Sequence, residues 1–511
     1  MKNNQKNKFN LSEMIWIGFN YTCGISFTAA FATFMINSNG EGLGLGAHMI
    51  WIFLIEGLIA ATCAWAFSRM SHIHKGENGA AYIYVRTSFG KFAGWMISFL
   101  QYTTMPMIVT SQIVSMIRIN FVDTGSVFNT QQIFGAWSFL VWDIVGIIVY
   151  ALASCTIFFS MRAIKKFLNM SGYIKWGSTF LLVIVLVYLF IHDSQFGNNV
   201  AHNSKISVSS FSTAFTSGFF FFMGFETFST MGKNVENPEK NIGKAIMWIM
   251  FLVTLFYVSM TILFLGTFIK YGSNPNIEAF SLINNNAKYL KWLGAIIMLV
   301  CTLSLKMNSA VQNSLYSGTI LEPFAKEGMI NPKYQEVNEY GIPFRASLLN
   351  LILTTSFAAV WLIIPDIIQG CIGSTDPIFN FSDITGETAL IMIMIYIAVI
   401  YTTLHLTFTK KMKTNLFEKI IWIFALIFLI FQFEEFFRNL ITEIVDAARY
   451  HTHNWVGKII SASLEIIYVI LAITFGIIWY KVRYLPIYKK RMAENPQLQV
   501  ELDEAYQLIN N

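Results

Sequence analysis

Two lysines lie inside stretches that are otherwise apolar enough to cross a bilayer. Lys175 sits in Ser171-Gly172-Tyr173-Ile174-Lys175-Trp176-Gly177-Ser178, and Lys306 in Cys301-Thr302-Leu303-Ser304-Leu305-Lys306-Met307-Asn308-Ser309. An ammonium at the centre of a membrane helix costs on the order of 2.5–3.5 kcal/mol on insertion scales, so such a residue faces the protein interior and usually has a task. A buried lysine that gains and loses its proton would suit a proton carrier, or a fixed cation standing in for a coupling ion. Two plainer roles remain open. Lys175 is three or four residues from the expected cytoplasmic interface and can snorkel to it, and Lys306 can pair with an acid on another helix. The intramembrane acids are Glu56, Asp143, Glu226, Glu434, Glu435 and Glu465. Of these, Glu226 is expected to hold or gate a nearby helix, Glu434 and Glu435 to lie on a solvated rim, and Glu56 and Asp143 have no assignable role.

Glu226 follows one of two interruptions in the hydrophobic pattern. The first reads Gly18-Phe19-Asn20-Tyr21-Thr22-Cys23-Gly24-Ile25-Ser26, and the second Phe219-Phe220-Phe221-Phe222-Met223-Gly224-Phe225-Glu226-Thr227. Lipid offers no partner to an unpaired N–H or C=O, so unwound backbone survives at membrane depth only where it is buried in protein or lines a cavity. A single glycine-containing kink can reflect close helix packing. A pair at corresponding places in the two halves of a chain points to a substrate site. Freed N–H groups around Thr22, Cys23 and Gly24, at the start of a half-helix, would favour a carboxylate. Freed carbonyls around Phe220, Met223 and Gly224 would favour an ammonium. One amino acid carries both groups, and the run Phe219 to Phe222 could close over it.

No enzyme constellation accompanies these residues. The spans contain no His-x-x-x-His pair, and the chain has neither a phosphate-binding Gly-rich loop with Lys-Ser/Thr nor a Gly-x-Ser-x-Gly elbow. His72 and His74, and His451 and His453, are expected as solvated loop histidines. The five cysteines are scattered, with no metal or disulfide spacing. No cofactor and no metal are expected, and the basic residues form no single patch of the kind that binds nucleic acid.

The elements that must position these groups are membrane helices. Of 511 residues, 55% are hydrophobic and only 13% charged, about half the charge of an average soluble chain. Twelve apolar spans are predicted, at about 14–36, 47–70, 91–119, 134–160, 172–192, 211–231, 244–269, 291–321, 344–365, 386–408, 417–438 and 458–480. With the N-terminus inside, 25 of the 35 Lys and Arg residues fall in cytoplasmic segments and 8 in outer ones, Arg118 among the latter. This positive-inside bias supports both the count and the orientation, with both termini cytoplasmic. The first apolar segment is too long for a signal peptide and reads as a retained span. Breaks in spans 1 and 6 imply repeats of five spans, the second inverted. The expected organisation is a cytoplasmic N-terminus (1–13), a first repeat (14–192), an inverted second repeat (211–408), two accessory helices (417–480) and a cytoplasmic tail (481–511).

Three stretches carry a family resemblance. They are Thr22-Cys23-Gly24-Ile25; Gly76-Glu77-Asn78-Gly79-Ala80-Ala81-Tyr82-Ile83-Tyr84 with Phe89-Gly90 and Gly94-Trp95; and Phe222-Met223-Gly224-Phe225-Glu226 followed by Val235-Glu236-Asn237-Pro238-Glu239-Lys240-Asn241-Ile242. Ala325-Lys326-Glu327-Gly328 fits as well. Across spans 1 to 10 the chain resembles the amino acid–polyamine–organocation (APC) superfamily of secondary transporters. The resemblance implies an all-α integral membrane protein with the leucine-transporter-type inverted five-plus-five repeat and discontinuous helices 1 and 6. It implies a substrate carboxylate at Thr22, Cys23 and Gly24, an amino group at the carbonyls of Asn20, Phe220 and Met223, and Lys175 in place of a sodium ion. The chain departs from the family at Thr22 and Cys23, where Gly and Ser are usual, at the bulky Asn20-Tyr21, at Lys233 and Asn234, where acids are usual, and at Gly243, where a proline is usual.

The function expected is sodium-independent amino acid permeation across the plasma membrane, as a symporter or an antiporter, with Lys175, Glu226 and Lys306 in coupling or gating. Its partners would be an amino acid, the lipid bilayer and protons. The plasma membrane follows from a Lys-, Asn- and Ile-heavy composition that fits an AT-rich bacterial genome. A polyamine or organic-cation transporter on the same fold, and a membrane amino acid sensor without transport, are the alternatives. The former would need acids facing the site, and the latter sits poorly with short termini.

Overall fold

The computed structural model describes residues 8–24, 45–74, 78–122, 128, 130–194, 196–201, 206–229, 235–267, 275–284, 287–336, 338, 343–373, 378, 381–451, 455–497, 500, 504 and 508. Among these residues the protein is helical, with two isolated bridges, Phe9 to Val235 and His74 to Leu508, and no strand. Ten helices among the described residues are long and apolar enough to cross a membrane, and the chain is a multi-pass membrane protein. Spans 1 and 3 of the sequence reading are not among the ten. Beyond Gly24 the first span lies outside the described residues. The third is a long helix that carries too many of the polar groups from Gln101 to Gln112 to pass as lipid-facing.

The helices used below are α1 (Leu11–Thr22), α2 (His48–Ile73), α3 (Ala80–Ile113), α4 (Ser138–Ser154), α5 (Met161–His192), α6 (Val208–Phe219), α7 (Phe225–Ser229), α8 (Pro238–Thr267), α9 (Lys288–Lys326), α10 (Phe344–Ile372), α11 (Phe381–Phe408), α12 (Leu416–Tyr450), α13 (Trp455–Trp479) and α14 (Leu485–Glu494). Their starts are written locally. Asn10 caps α1, its Oδ1 accepting the Glu13 N–H at 2.9 Å while Glu13 accepts the Asn10 N–H at 3.2 Å. Asn415 and Glu418 repeat this capping box at α12, as do Ser207 and Ser210 at α6. Each box satisfies N–H groups that no preceding turn can reach.

Lipid-facing and protein-facing helices differ in burial. The apolar window of α11 is 72% buried, whereas that of α5 is 28% buried. Phe180, Leu181, Ile184, Val187, Tyr188 and Ile191 of α5 are exposed at helical spacing, as a bilayer-facing stripe requires. Helices α2 and α8 approach closely because Gly57 has no side chain: a Cβ there would stand 2.3 Å from Thr254 Oγ1. Small residues at such crossings let two backbones pack against each other in a medium that supplies no hydrophobic drive.

Several expectations change. The stretch from Ala80 onward, read as a loop before span 3, is helix, and it bends at Gly90, whose φ of +84° interrupts the helix before the span proper. Gly76 and Glu77 of that motif lie outside the described residues, as do Ile25, Ser26, Lys233 and Asn234. Arg118, assigned to an outer segment, is 2% exposed within a π-helical continuation of α3 (Val114–Arg118). His74 is 2% exposed rather than solvated, one ring nitrogen 2.8 Å from the Met70 carbonyl and the other 3.0 Å from Thr87 Oγ1. Burial pushes its pKa down to about 4. Glu434 is exposed as expected of a rim, but Glu435 is buried and paired with Arg438. The tail begins as helix α14.

Candidate functional site

Helix α1 ends where its hydrophobic pattern ends. The Cys23 N–H still reaches the Phe19 carbonyl at 2.9 Å, but Cys23 itself is extended (φ −93°, ψ 135°). Unwinding there frees carbonyls at the negative end of a helix dipole, and other helices satisfy them; the half-helix expected to start at this break, with N–H groups for a carboxylate, falls beyond Gly24 and outside the described residues. The Lys175 ammonium, on α5, donates to the Asn20 carbonyl at 3.0 Å and the Cys23 carbonyl at 2.8 Å. The Tyr257 hydroxyl, on α8, donates to the Thr22 carbonyl at 3.1 Å. Lys175 is 1% exposed, so it does not snorkel, and its ammonium also lies 4.6 Å from the Trp176 ring. The Trp176 indole N–H donates to Asn20 Oδ1 at 2.6 Å, which fixes the side chain beside the break.

The second break is a change of backbone type over five residues. Helix α6 tightens into a 3₁₀ turn at Phe220–Phe222, Met223 is extended (φ −79°, ψ 164°), Gly224 takes φ +112°, and α7 begins at Phe225. Only glycine adopts that positive φ without steric cost. The freed N–H of Gly224 donates to both carboxylate oxygens of Glu226, at 3.1 and 3.0 Å. Glu226 Oε2 also accepts from the Tyr396 hydroxyl of α11 at 2.8 Å. The Gly224 carbonyl accepts from Thr227 Oγ1 at 2.5 Å. Glu226 thus holds the start of α7 from within the chain and ties it to α11.

The two breaks meet. A Cβ built on Gly224 would stand 2.7 Å from the Tyr21 ring and 3.3 Å from Thr22 Oγ1, and one on Gly24 would stand 2.6 Å from Leu305 of α9. Between them is a cavity of about 60 Å³. Thr22, Cys23, Gly24, Phe220, Met223 and Gly224 line it together with Glu226 and Lys306. Two of the expected site residues do not line it. Asn20 has its carbonyl occupied by Lys175, and Lys175 lies behind the break rather than in the cavity. Thr22 Oγ1 is buried with no hydrogen-bond partner among the described residues, which leaves a hydroxyl at the cavity wall available to a ligand.

Sequence reasoning missed the polar groups that distant helices bring to the same place. Tyr21 donates to Asn313 Oδ1 at 2.5 Å, and Asn313 donates to Gln112 Oε1 at 3.1 Å, so a hydrogen-bonded chain links α1, α9 and α3 across one wall. Tyr21, Gln112, Ser309 of α9 and Met392 of α11 all line the cavity. The polar run in α3 was the available signal for Gln112, while nothing local distinguishes Met392 from a core residue. The aromatic part of the wall is Phe220 and Phe221, backed by Phe381, with ring centroids 6.5 Å apart for Phe220–Phe381 and 6.3 Å for Phe221–Phe381.

Comparison with known proteins adds an independent line. The family model described as amino acid permease matches residues 14–460, a range that contains both breaks, Lys175 and Lys306. The cationic amino acid transporter 3, mitochondrial, of Arabidopsis thaliana is 24% identical over 349 residues, covering 64% of this chain and 53% of its own length. The cationic amino acid transporter 2, vacuolar, of the same plant is 22% identical over 66% of this chain and 52% of its own. An uncharacterized transporter of Mycobacterium tuberculosis is 22% identical over 62% of this chain and 68% of its own. The chain spans about half the length of the two plant relatives.

Proposed function

Because the chain belongs to the amino acid permease family of the APC superfamily, we propose that it is a sodium-independent secondary transporter that moves an amino acid across a membrane by alternating access. Lys175 carries this proposal: its ammonium bridges the Asn20 and Cys23 carbonyls at 3.0 and 2.8 Å, at an unwound helix end. Backbone carbonyls freed at such a break are the groups that coordinate a coupling sodium ion in transporters of this build. A lysine that satisfies them from within the protein leaves no need for that ion.

The substrate carboxylate would bind at Thr22, Cys23 and Gly24, with Thr22 Oγ1 as one donor, and its amino group at the carbonyls near Phe220 and Met223. Asn20 would act through Lys175 rather than on the substrate. Phe220 and its ring neighbours would close the cavity, and Glu226 would couple closure to movement of α7 against α11. Proton exchange at Lys175 would set the affinity in the two facing states, as symport with protons or as exchange. The architecture we infer is twelve spans: five-span repeats at 14–192 and 211–408 with the second inverted, accessory helices at 417–480, and a tail at 481–511. Both termini would be cytoplasmic and the location the plasma membrane.

A polyamine substrate is disfavoured, because the cavity wall includes the ammonium-bearing Lys306 and Glu226 is the one acid lining it among the described residues. For the same reason the word cationic in the names of the plant relatives is not carried over to this substrate. Purified protein in liposomes, offered labelled amino acids, tests the proposal. Uptake should be equal in sodium and in choline buffers. It should rise with an inward proton gradient if the protein is a symporter, or with internal amino acid if it is an exchanger. Uptake that requires sodium would overturn sodium independence, and no uptake of any amino acid would overturn the proposal as a whole.

A further inference from the structure

We propose that the groove between the end of α2 and the start of α8 is a site for an anionic phospholipid, with Lys244 and His72 on the headgroup and Trp248 and Phe251 along an acyl chain. The inference rests on the chain being a membrane protein and not on the transport reading. The two helices run antiparallel: Thr254 lies against Gly57, and further along Ser68 lies against Gly243. A side chain at Gly243 would run into Ser68 Oγ, so the second contact, like the first, depends on a glycine. Beyond it α2 has little more than one turn left before it ends at Ile73, and α8 has only just begun at Pro238. Both helices are candidate membrane spans, so this end is where the pair leaves the bilayer. Here lies a groove of about 460 Å³, lined by Ser68, His72, Lys244, Met247, Trp248 and Phe251.

Charge and apolar surface follow each other along this groove in the order of a phospholipid. Lys244, Trp248, Phe251 and Leu255 are all exposed, at the spacing of three and four residues that puts them on one face of α8. The stripe runs from a cation near the helix start, through an indole one turn deeper, to apolar side chains of the span. Tryptophan sits at the level of lipid headgroups, and a lysine stem lies along apolar surface while its ammonium reaches outward. From α2 the exposed His72 completes the head end, its Nε2 3.4 Å from where a Gly243 Cβ would stand. An imidazole N–H donates to a phosphate oxygen whether or not the ring is charged. Lys244 is the one lysine, arginine or acid lining the groove among the described residues. Arg69 and Glu239 also act on His72. Arg69 stands 3.2 Å from Glu418, which offsets its charge, and Glu239 is exposed in the first turn of α8, where water and salt screen it. The groove falls within the roughly 300–1,000 Å³ that seats a small molecule. Its exposed side lets it hold a headgroup and the first part of one chain while the rest of the lipid stays in the bilayer. A free phosphate would use the head end alone and leave the apolar stripe unaccounted for.

The test titrates the purified full-length protein, delipidated in detergent, with phosphatidylglycerol, phosphatidylcholine or water-soluble glycerol phosphate, and follows the thermal midpoint. Phosphatidylglycerol should raise the midpoint with a half-saturating concentration at least about fivefold below that of phosphatidylcholine, the scale of one basic residue at an anionic lipid surface. Lys244→Gln should weaken phosphatidylglycerol to the level of phosphatidylcholine and leave the latter within about twofold. Lys244→Arg, which keeps the cation, should retain the preference and guards against a folding defect in the first variant. Lys240→Gln, an exposed lysine one turn earlier that does not line the groove, should also retain it. Equal action of the two lipids would overturn the proposal. So would a preference untouched by Lys244→Gln, or one lost equally with Lys240→Gln, which would make it a property of the whole basic surface. Glycerol phosphate acting at the same concentrations as phosphatidylglycerol would assign the site to a soluble anion and overturn the lipid. None of these outcomes bears on amino acid uptake, so this inference and the transport reading stand or fall separately.

Discussion

Glu226 accepts a hydrogen bond from the Tyr396 hydroxyl at 2.8 Å while its two oxygens hold the Gly224 N–H. One side chain thus anchors the second broken helix to α11, whose apolar window is the most buried of the ten candidate spans among the described residues. The first break is anchored differently, by Lys175 and Tyr257 donating to its carbonyls. An acid accepts at the N–H end of a half-helix and donors reach the C=O end of another, as the helix dipole favours at each. Between the two anchors lies the cavity of about 60 Å³.

Removing the ammonium at the first break should be severe. Lys175→Met keeps length and apolar bulk but leaves the Asn20 and Cys23 carbonyls buried without a donor, at roughly 1–3 kcal/mol for each unsatisfied group. Uptake in liposomes should fall at least about tenfold and the thermal midpoint in detergent should drop. A variant with uptake near the parent's would mean that the ammonium has no part in the site.

Glycine is required at Gly224 by conformation as well as by space. Gly224→Ala would force an L-residue to φ +112° and set its Cβ 2.7 Å from the Tyr21 ring. Substrate binding measured by calorimetry should be lost. Gly177→Ala is the control: its Cβ would meet nothing within 4 Å, and alanine in a helix gains up to about 1 kcal/mol over glycine, so binding should persist and the melting temperature should hold or rise.

The main chain of this site was legible in the sequence, and its side-chain partners were largely not. Gly24 and Gly224 stand out because small residues interrupt runs that are otherwise fit for lipid. Lys175 stands out because its charge costs free energy unless it is used. Gln112 lines the cavity and is held by Asn313, 201 residues away in sequence, and no local pattern pairs them. Arg118 was misplaced because a charge looks like the end of a span, whereas here buried acids on two other helices surround it. His74 was misplaced because a histidine beside lysine and glycine looks solvated, although the bridge to Leu508 and the contact with Thr87 enclose it.

His74 also makes stability depend on pH. Its pKa is held down to about 4 by burial against an ordinary value of 6.5. The unfolded chain therefore takes up a proton that the folded one refuses. The folded state is at full advantage above pH 6.5 and loses it as pH falls from 6.5 towards 4, by up to about 3 kcal/mol at about 1.4 kcal/mol per unit. Thermal melts of the protein in detergent should show this loss, and His74→Gln, which cannot charge, should flatten the pH dependence over that window. Parallel curves for the two proteins would show that His74 does not titrate there.

Arg118 is the last group whose removal has a defined sign. Its guanidinium lies 3.0 Å from Asp366 of α10 and 3.3 Å from Asp143 of α4, and all three residues are at most 2% exposed. One cation thus serves two acids where three helices meet. Breaking a buried pair by deleting one partner typically costs about 3–5 kcal/mol, because the remaining charge is stranded. Arg118→Leu strands two carboxylates and should lower the melting temperature strongly or prevent expression. Asp366→Asn leaves a one-to-one pair with Asp143 and an amide that can still accept from the guanidinium, so it should cost far less. The comparison is made by thermal melting of both variants in the same detergent, with Arg118→Lys as the intermediate case that keeps the charge but loses the planar fork. Equal losses for Arg118→Leu and Asp366→Asn would show that packing, rather than the charge balance, holds α4 and α10 to the end of α3.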